Sequence, residues 1–253
     1  MTTTGKLQKY VDRPIVFHGR LKKQPIILGD SKGNYLRQHA TDIFQPFCDI
    51  EFQCRGGARF ADYFYWLKRN LARKVQQYTH IVLYIFLGTC DLTSITPYSK
   101  DTSKSRVKRY IELRHSDNNT CFFYLRGQID EYCQFISNFP TVSVVFLEIP
   151  PYSIQEWNKY QGHPNPKSFL SQDLILYERI SIINDYIRSV NKPKSVKSPR
   201  FDQDLKRARK SRGDSHRRIS LNFSNYKDGI HTKPLLARCW MKRILLQIFA
   251  DCA

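Results

Sequence analysis

A serine lies where a hydrophobic strand ends, in the stretch IILGDSKG at residues 26–33. The two isoleucines and the leucine are typical of a buried strand, and the chain turns polar at once through Gly29, Asp30 and Ser31. Ligands of open α/β sheets bind beyond the carboxyl ends of the strands, so Ser31 is a candidate nucleophile. Serine is also a common helix N-cap, and Ser31 could equally cap the helix that follows.

Three further segments place reactive or turn-forming residues at similar boundaries. They are Arg55-Gly56-Gly57 after a second predicted strand, Gly88-Thr89-Cys90-Asp91 after a third, and Asp228-Gly229-Ile230-His231 just before the last helix. A late histidine three residues after an aspartate could serve as a base for a serine found elsewhere in the fold.

The elements that would position these segments alternate between strand and helix. Apolar runs predict strands at 25–29, 80–87 and 141–149, and the alternation of CDIEFQC predicts another at 48–54. Helical spacing of apolar residues predicts helices at 58–77, 176–190 and 235–249, and two further helices are predicted at 31–40 and 121–138. Residues 92–120 and 152–171 are predicted as loops. The alternation predicts a single three-layer, flavodoxin-like α/β domain, with a central parallel sheet of about five strands and helices on both faces.

Composition narrows the class of protein. A chain of 253 residues with 41% hydrophobic residues can fill a core without disulfides. It has seven cysteines, an odd number, and no CxxC pair, so the pattern indicates neither a disulfide framework nor a zinc ribbon. The N-terminus has no apolar signal region, and no apolar run approaches about 18 residues. We therefore expect an intracellular protein, cytoplasmic or nuclear and not secreted, without a transmembrane segment.

Charge points to the kind of partner. The net charge of +19 favours nucleic acid, an anionic lipid surface or an acidic substrate, although the same residues could simply form a solvated surface. Residues 192–218 contain 11 Lys or Arg against 3 Asp and are predicted to be a flexible basic insertion. Residues 1–24 are predicted to be a polar N-terminal arm, and residues 25–253 the folded domain.

Together, the four boundary segments resemble the SGNH (GDSL-type) hydrolases. That family has G-D-S after the first strand, a glycine after the second, G-x-N-D after the third and D-x-x-H before the final helix. The resemblance covers about residues 25–250, in the right order, and EIPP after the fourth strand is also similar. A few retrotransposons encode SGNH-type esterase domains, and the basic character of this chain is similar to theirs.

The resemblance implies acyl transfer without a metal or an organic cofactor. Ser31 would attack an ester carbonyl, His231 would act as the general base, and Asp228 would orient the imidazole. The oxyanion would be bound by the backbone N–H of Ser31, by that of Gly57 or Gly56, with Gly57 preferred, and by the side chain at position 90. Asp30 and Asp91 would support the site.

Position 90 departs from the family. Cys90 stands where the family has asparagine, and a thiol is a weaker and shorter donor than a carboxamide. The thiol could still serve the oxyanion hole, Thr89 or another polar group could replace it, or catalysis could be weak or lost.

Two functions from different classes follow. The first is a serine esterase, acting on a carboxylic ester that could be anionic. The second is a catalytically weakened SGNH-fold protein that binds nucleic acid or acts as a scaffold. The basic segment 192–218 leads into the Asp228–His231 loop, so it could bring nucleic acid or an anionic membrane surface to the site. It could equally be a solvated loop.

Overall fold

The computed structural model of the protein describes residues 3–98, 108–194, 198–209 and 218–253. Its α-helices within these ranges are α1 (Thr3–Asp12), α2 (Ser31–His39), α3 (Thr41–Phe44), α4 (Phe60–Tyr78), α5 (Thr89–Leu92), α6 (Asn118–Ile136), α7 (Ile154–Tyr160), α8 (Leu170–Asn191) and α9 (Pro234–Cys252). Its strands are β1 (Gln24–Gly29), β2 (Glu51–Cys54), β3 (Ile81–Phe86), β4 (Thr93–Tyr98), β5 (Lys108–Leu113), β6 (Val142–Phe146), β7 (Lys206–Arg209) and β8 (Arg218–Leu221).

A parallel sheet in the order β2-β1-β3-β6 forms the middle of the protein. This confirms the predicted α/β class with a central parallel sheet flanked by helices. The sheet of the described residues has four strands where about five were predicted. Between α8 and α9, the described chain forms a 3-10 turn at Phe201–Asp204 and the antiparallel pair β7–β8 instead of another parallel strand.

Both faces of the sheet are covered, which explains why β1 and β3 are continuous apolar runs. Alternate residues point to opposite sides. Ile26 and Leu28 pack with α4, α6 and α8, whereas Ile27 packs with α1, α2 and α9. All three side chains are fully buried. The helices thus hold the carboxyl ends of the strands in fixed positions at one edge.

The segment predicted as a polar arm includes α1, which packs against α9. Leu7 and Val11 are buried in the core on that side. Lys242 of α9 donates from Nζ to the carbonyl oxygens of Tyr10 and Val11, at 2.7 and 3.2 Å. A lysine that binds the last carbonyls of a helix acts as its C-cap, so the helical part of the arm belongs to the packed body.

Part of the predicted basic insertion is also packed. The side chains of Phe201 and Leu205 are fully buried, and the Phe201 ring lies 5.0 Å from that of Trp240 in α9. Arg243 of α9 forms an ion pair with Asp204 at 2.6 Å. Residues 195–197 and 210–217 of the insertion lie outside the described residues, so its flexibility there stays a prediction.

Two segments predicted as loops contain regular structure. Strands β4 and β5 form an antiparallel pair within 92–120, and α7 lies within 152–171. The side chain of Asn158 in α7 joins the two, because it accepts from the Ile111 N–H and donates to the Ile111 carbonyl, both at 2.9 Å. No helix in the part of the chain that the structure describes is long and apolar enough to cross a membrane.

Candidate active site

Ser31 is the first residue of α2 and lies two residues beyond the end of β1. The N-cap is Asp30, whose Oδ1 accepts a hydrogen bond from the Lys32 N–H at 2.8 Å. A side-chain acceptor at this position satisfies one of the unpaired N–H groups of the first turn. Because Asp30 provides the cap, the Ser31 hydroxyl is available for another partner.

That partner is His231. The Ser31 Oγ lies 2.9 Å from the Nε2 of His231, and the His231 Nδ1 lies 2.7 Å from the Oδ2 of Asp228. The structure therefore brings together three side chains that the sequence separates by up to 200 positions. Serine, imidazole and carboxylate stand in a single hydrogen-bonded chain.

The Asp228 carboxylate is held in its charged form. Burial by itself raises its pKa, but hydrogen bonds from the His231 ring and from the backbone N–H groups of His231 and Ile230 outweigh that effect. The pKa of Asp228 consequently lies below its ordinary value. A charged acceptor at this position favours the imidazole tautomer that carries its proton on Nδ1, which leaves Nε2 able to accept from Ser31.

The turn that carries Asp228 and His231 is anchored to α7. Gly229 has a φ of +91°, and a Cβ at this position would lie 2.8 Å from the backbone nitrogen of Trp157. The Gly229 carbonyl accepts from the Ser153 N–H at 3.0 Å. Glycine is required here both for the positive φ and for the close approach. The position of His231 thus depends on α7, a helix within the segment 152–171 that the sequence predicted as a loop.

Two aromatic side chains that the sequence did not single out contact His231. Tyr35, one turn after Ser31 in α2, stacks on the imidazole with ring centroids 4.7 Å apart and an angle of 19°. Trp157 in α7 lies at 5.7 Å from it. The spacing of Ser31 and Tyr35, four residues apart at the start of one helix, is a signal that sequence reasoning could have used.

The two candidate oxyanion glycines form the turn after β2. A Cβ on Gly56 would lie 4.0 Å from the Cβ of Ser31, whereas one on Gly57 would have no heavy atom within 4 Å. Gly57 has a φ of +79°. Gly56 is therefore the closer neighbour of the serine, and the positive φ of Gly57 shapes the turn.

Cys90 and Asp91 lie in α5, at the end of β3. Burial, followed by the nearby Asp30 carboxylate, raises the pKa of the Cys90 thiol to about 12, so the sulfur keeps its proton at neutral pH. A protonated thiol can donate a weak hydrogen bond but is a poor nucleophile. Fully buried Asp91 accepts from the Phe60 N–H at 3.3 Å, which ties α5 to the start of α4.

Asp91 has an unusual environment for a carboxylate. Burial raises its pKa to about 7, although the Phe60 N–H and the charges of Arg114 and Arg59 act in the opposite direction. Its Oδ1 has no hydrogen-bond partner among the described residues. The hydrogen bond from the Phe60 N–H fits the predicted supporting role, in which Asp91 holds turns together.

Among the described residues, no group of three or more His, Cys, Asp or Glu is arranged to hold a metal ion.

Sequence comparison alone places the chain in no family. No family model matches it, and no curated protein is similar enough to be matched. Solved structures, in contrast, resemble it over nearly its full length.

A Bacteroides fragilis protein assigned as an acylhydrolase superimposes with a TM-score of 0.57 at 12% identity, covering 97% of this chain and 94% of its own. A GDSL-like lipase from Bacteroides thetaiotaomicron superimposes with a TM-score of 0.56 at 12% identity, covering 99% of this chain and 98% of its own. A lipase/acylhydrolase from Enterococcus faecalis superimposes with a TM-score of 0.52 at 12% identity, covering 91% of this chain and 97% of its own. At this level of identity the likeness defines the fold, and the chain has the α/β fold of GDSL-like hydrolases.

Proposed function

We propose that this protein is a serine esterase of the SGNH type that hydrolyses a carboxylic ester. The single observation that carries the proposal is the chain from the Ser31 Oγ to the His231 Nε2 at 2.9 Å and from the His231 Nδ1 to the Asp228 Oδ2 at 2.7 Å. A serine hydroxyl is a poor nucleophile at neutral pH and needs such a base within hydrogen-bond reach. The fold, shared with lipases and acylhydrolases, supports the same reaction class.

The proposed reaction has two halves. His231 takes the proton of Ser31 as its Oγ attacks the ester carbonyl, and the resulting imidazolium is stabilised by Asp228. The tetrahedral intermediate collapses when His231 gives the proton to the departing alkoxide, which releases an alcohol and leaves an acyl-serine. Water, deprotonated by the same histidine, then attacks the acyl group, and the carboxylic acid departs as Ser31 regains its proton.

The negative charge on the carbonyl oxygen needs hydrogen-bond donors. We assign this role to the backbone N–H of Ser31, to that of Gly56 or Gly57, and to the thiol of Cys90. Gly56 is favoured over Gly57 by its position beside Ser31. The protonated state of Cys90 makes it a donor, although a weak one.

Replacing Cys90 with asparagine tests the thiol. If the thiol is a poor substitute for a carboxamide, we expect Cys90→Asn to raise kcat by about 10-fold, since one oxyanion donor is typically worth about 10² to 10³. KM should change little, because the oxyanion exists only in the transition state and the intermediate. Steady-state kinetics on a p-nitrophenyl ester measures both kcat and KM. Cys121→Asn is unsuitable as a control, because Cys121 is buried in the core.

A fall in kcat would show that the site is built around sulfur, so that the larger carboxamide crowds it. Cys90→Ser provides the size-matched control, because its hydroxyl is a stronger donor in nearly the same volume.

A second function, binding of single-stranded nucleic acid, is favoured by one exposed surface. The outer face of α4 carries Lys68, Arg69 and Arg73 beside Tyr65, which is 60% exposed. The Arg69 guanidinium lies 5.3 Å from the centre of the Tyr65 ring and donates to the Tyr65 hydroxyl at 2.7 Å. Exposed aromatic rings among cations are typical of surfaces on which bases stack while phosphates are neutralised.

One experiment on the purified protein tests both functions. We expect turnover of p-nitrophenyl acetate and labelling of Ser31 by a serine-reactive phosphonate. Binding of a single-stranded RNA is followed in parallel by fluorescence anisotropy at increasing KCl. Because each contact with a single strand contributes about 0.7 to the salt slope, neutralising Lys68, Arg69 and Arg73 to Gln should reduce that slope by about 2 if α4 binds RNA.

The matched control neutralises Lys6, Lys9 and Arg13, which lie on and beside α1 at the other face of the sheet. Binding without turnover or labelling would contradict the esterase proposal, and turnover with an unchanged slope would contradict RNA binding by α4. The intracellular location and an anionic ester substrate stay predictions of the sequence.

A further inference from the structure

Lys32, the residue after the candidate nucleophile, is buried with its charge. Only 2% of the residue is exposed, and its Nζ lies 2.7 Å from the Oδ2 of Asp30, which is fully buried. Lysine is almost never fully buried unless it is paired. Replacing a buried ion pair by apolar residues often leaves stability unchanged or improved, so the pair calls for an explanation other than stability.

The ammonium group connects two turns of the candidate site. One side of the bridge is Asp30, whose other oxygen caps α2 through the Lys32 N–H at 2.8 Å. The other side is the hydroxyl oxygen of Thr89, which accepts a hydrogen bond from the Lys32 Nζ. Thr89 is itself 3% exposed and directly precedes Cys90. The turn after β1, which carries Ser31, is thereby fastened to the turn after β3.

The neighbourhood of Thr89 contains further hydrogen bonds that limit its movement. Its carbonyl accepts from the Tyr152 hydroxyl at 3.0 Å and from the Thr93 hydroxyl at 3.1 Å. The Thr89 side chain is therefore held by Lys32, while its backbone carbonyl is held by Tyr152 and Thr93. Only the first of these contacts reaches the turn of the nucleophile.

We propose that Lys32 is a positioning residue, whose buried ammonium holds the Thr89–Cys90 turn against the Asp30–Ser31 turn and so aims the Cys90 thiol at the oxyanion. This rests on the esterase function proposed above. A thiol is shorter than the carboxamide that the family places here, so its alignment must be set by the backbone that carries it. Functional groups need to be held within about 0.5 Å of their productive position by such supporting contacts.

The experiment removes the bridge at its Thr89 end. Thr89→Val is nearly isosteric, takes away the acceptor of the ammonium and keeps the Lys32–Asp30 pair. We expect kcat to fall by about 10-fold, a part of what one oxyanion donor is worth, while KM changes by less than about two-fold. Thr89→Ser restores the oxygen and should restore kcat. Thr89→Ser is therefore the matched control, because it keeps the acceptor of the Lys32 ammonium at the same position.

A double-mutant cycle with Cys90→Ala decides whether the bridge acts through the thiol. In the Cys90→Ala background, Thr89→Val should lower kcat by less than about two-fold, because the group that the bridge positions is gone. Equal effects of Thr89→Val in both backgrounds would overturn the inference, and so would an unchanged kcat in the single variant. Thermal unfolding midpoints verify that each variant is folded.

The outcomes separate this inference from the esterase proposal. A wild-type protein without Ser31-dependent turnover would overturn both. Normal turnover that is indifferent to Thr89→Val would overturn only the positioning role of Lys32. Lys32→Met is less suitable as a test, because it would leave the Asp30 carboxylate buried without its partner.

Discussion

Replacing Ser31 with alanine is expected to reduce kcat for a short-chain p-nitrophenyl ester by about 10⁴-fold or more, the usual cost of removing the nucleophile of a serine hydrolase. The variant would lose the covalent step while keeping the substrate pocket. The fold should survive, because alanine is favourable at the start of α2 and the only described side-chain contact that is lost is the one with His231. Steady-state kinetics and the thermal unfolding midpoint measure the two effects separately.

A serine-reactive phosphonate provides a second measurement for Ser31. It should add one covalent label to the wild type at Ser31, located by peptide mass spectrometry, and none to the alanine variant. Ser189→Ala is the matched control, since Ser189 is an exposed serine of α8 and its hydroxyl donates only to the Tyr186 carbonyl. Undiminished turnover in the Ser31 variant, or labelling at another residue, would exclude Ser31 as the nucleophile.

Replacing Asp228 with asparagine is expected to lower kcat by about 10⁴-fold while changing stability little. The asparagine Oδ1 can still accept from the N–H groups of Ile230 and His231, which preserves the turn. Its amide would then face the His231 Nδ1 and donate to it, which favours the tautomer with the proton on Nε2. That tautomer cannot accept the proton of Ser31, so the base is lost although every heavy atom is retained.

The lowered pKa of Asp228 also bears on the pH dependence of wild-type activity. Because the pKa of Asp228 is lowered in the folded protein, its carboxylate stays ionised as the pH falls toward the ordinary pKa of an aspartate. If the wild type loses activity in that pH range, the cause is protonation of a group other than Asp228. Asp185→Asn, at an exposed position of α8, is the control and should leave kcat unchanged. An Asp228→Asn variant that retains more than about a tenth of wild-type kcat would contradict the assigned role.

The sequence by itself determined the class of fold and the order of the site segments. Strands β1 and β3 are nearly continuous apolar runs because each is buried on both faces, and α4 and α9 carry a helical repeat of apolar residues. Parallel strands end at one edge of a sheet, so polar residues after β1, β2 and β3 had to lie near one another. These features are local, and local patterns can be recognised without a structure.

Some elements escaped sequence reasoning because other parts of the chain stabilise them. Helix α7 has seven residues, too few to be stable alone, and it depends on the Ser153 cap and on Asp173, whose Oδ1 accepts from the Ile154 N–H at 2.6 Å. Strands β4 and β5 are bonded to each other. Phe201 is a lone aromatic in a basic stretch, and only α9 shows why it is buried.

The details of the candidate site were decided by tertiary structure. The pattern Gly-Asp-Ser left open whether Ser31 caps α2, and the structure gives that role to Asp30. The spacing of Ser31 and Tyr35 places both on one side of α2, but no local pattern indicates that Lys32 turns inward to Asp30 and Thr89 instead of outward to water. A lysine side chain is buried only where partners from distant segments compensate its charge, and that compensation exists only once the sheet has brought those segments together.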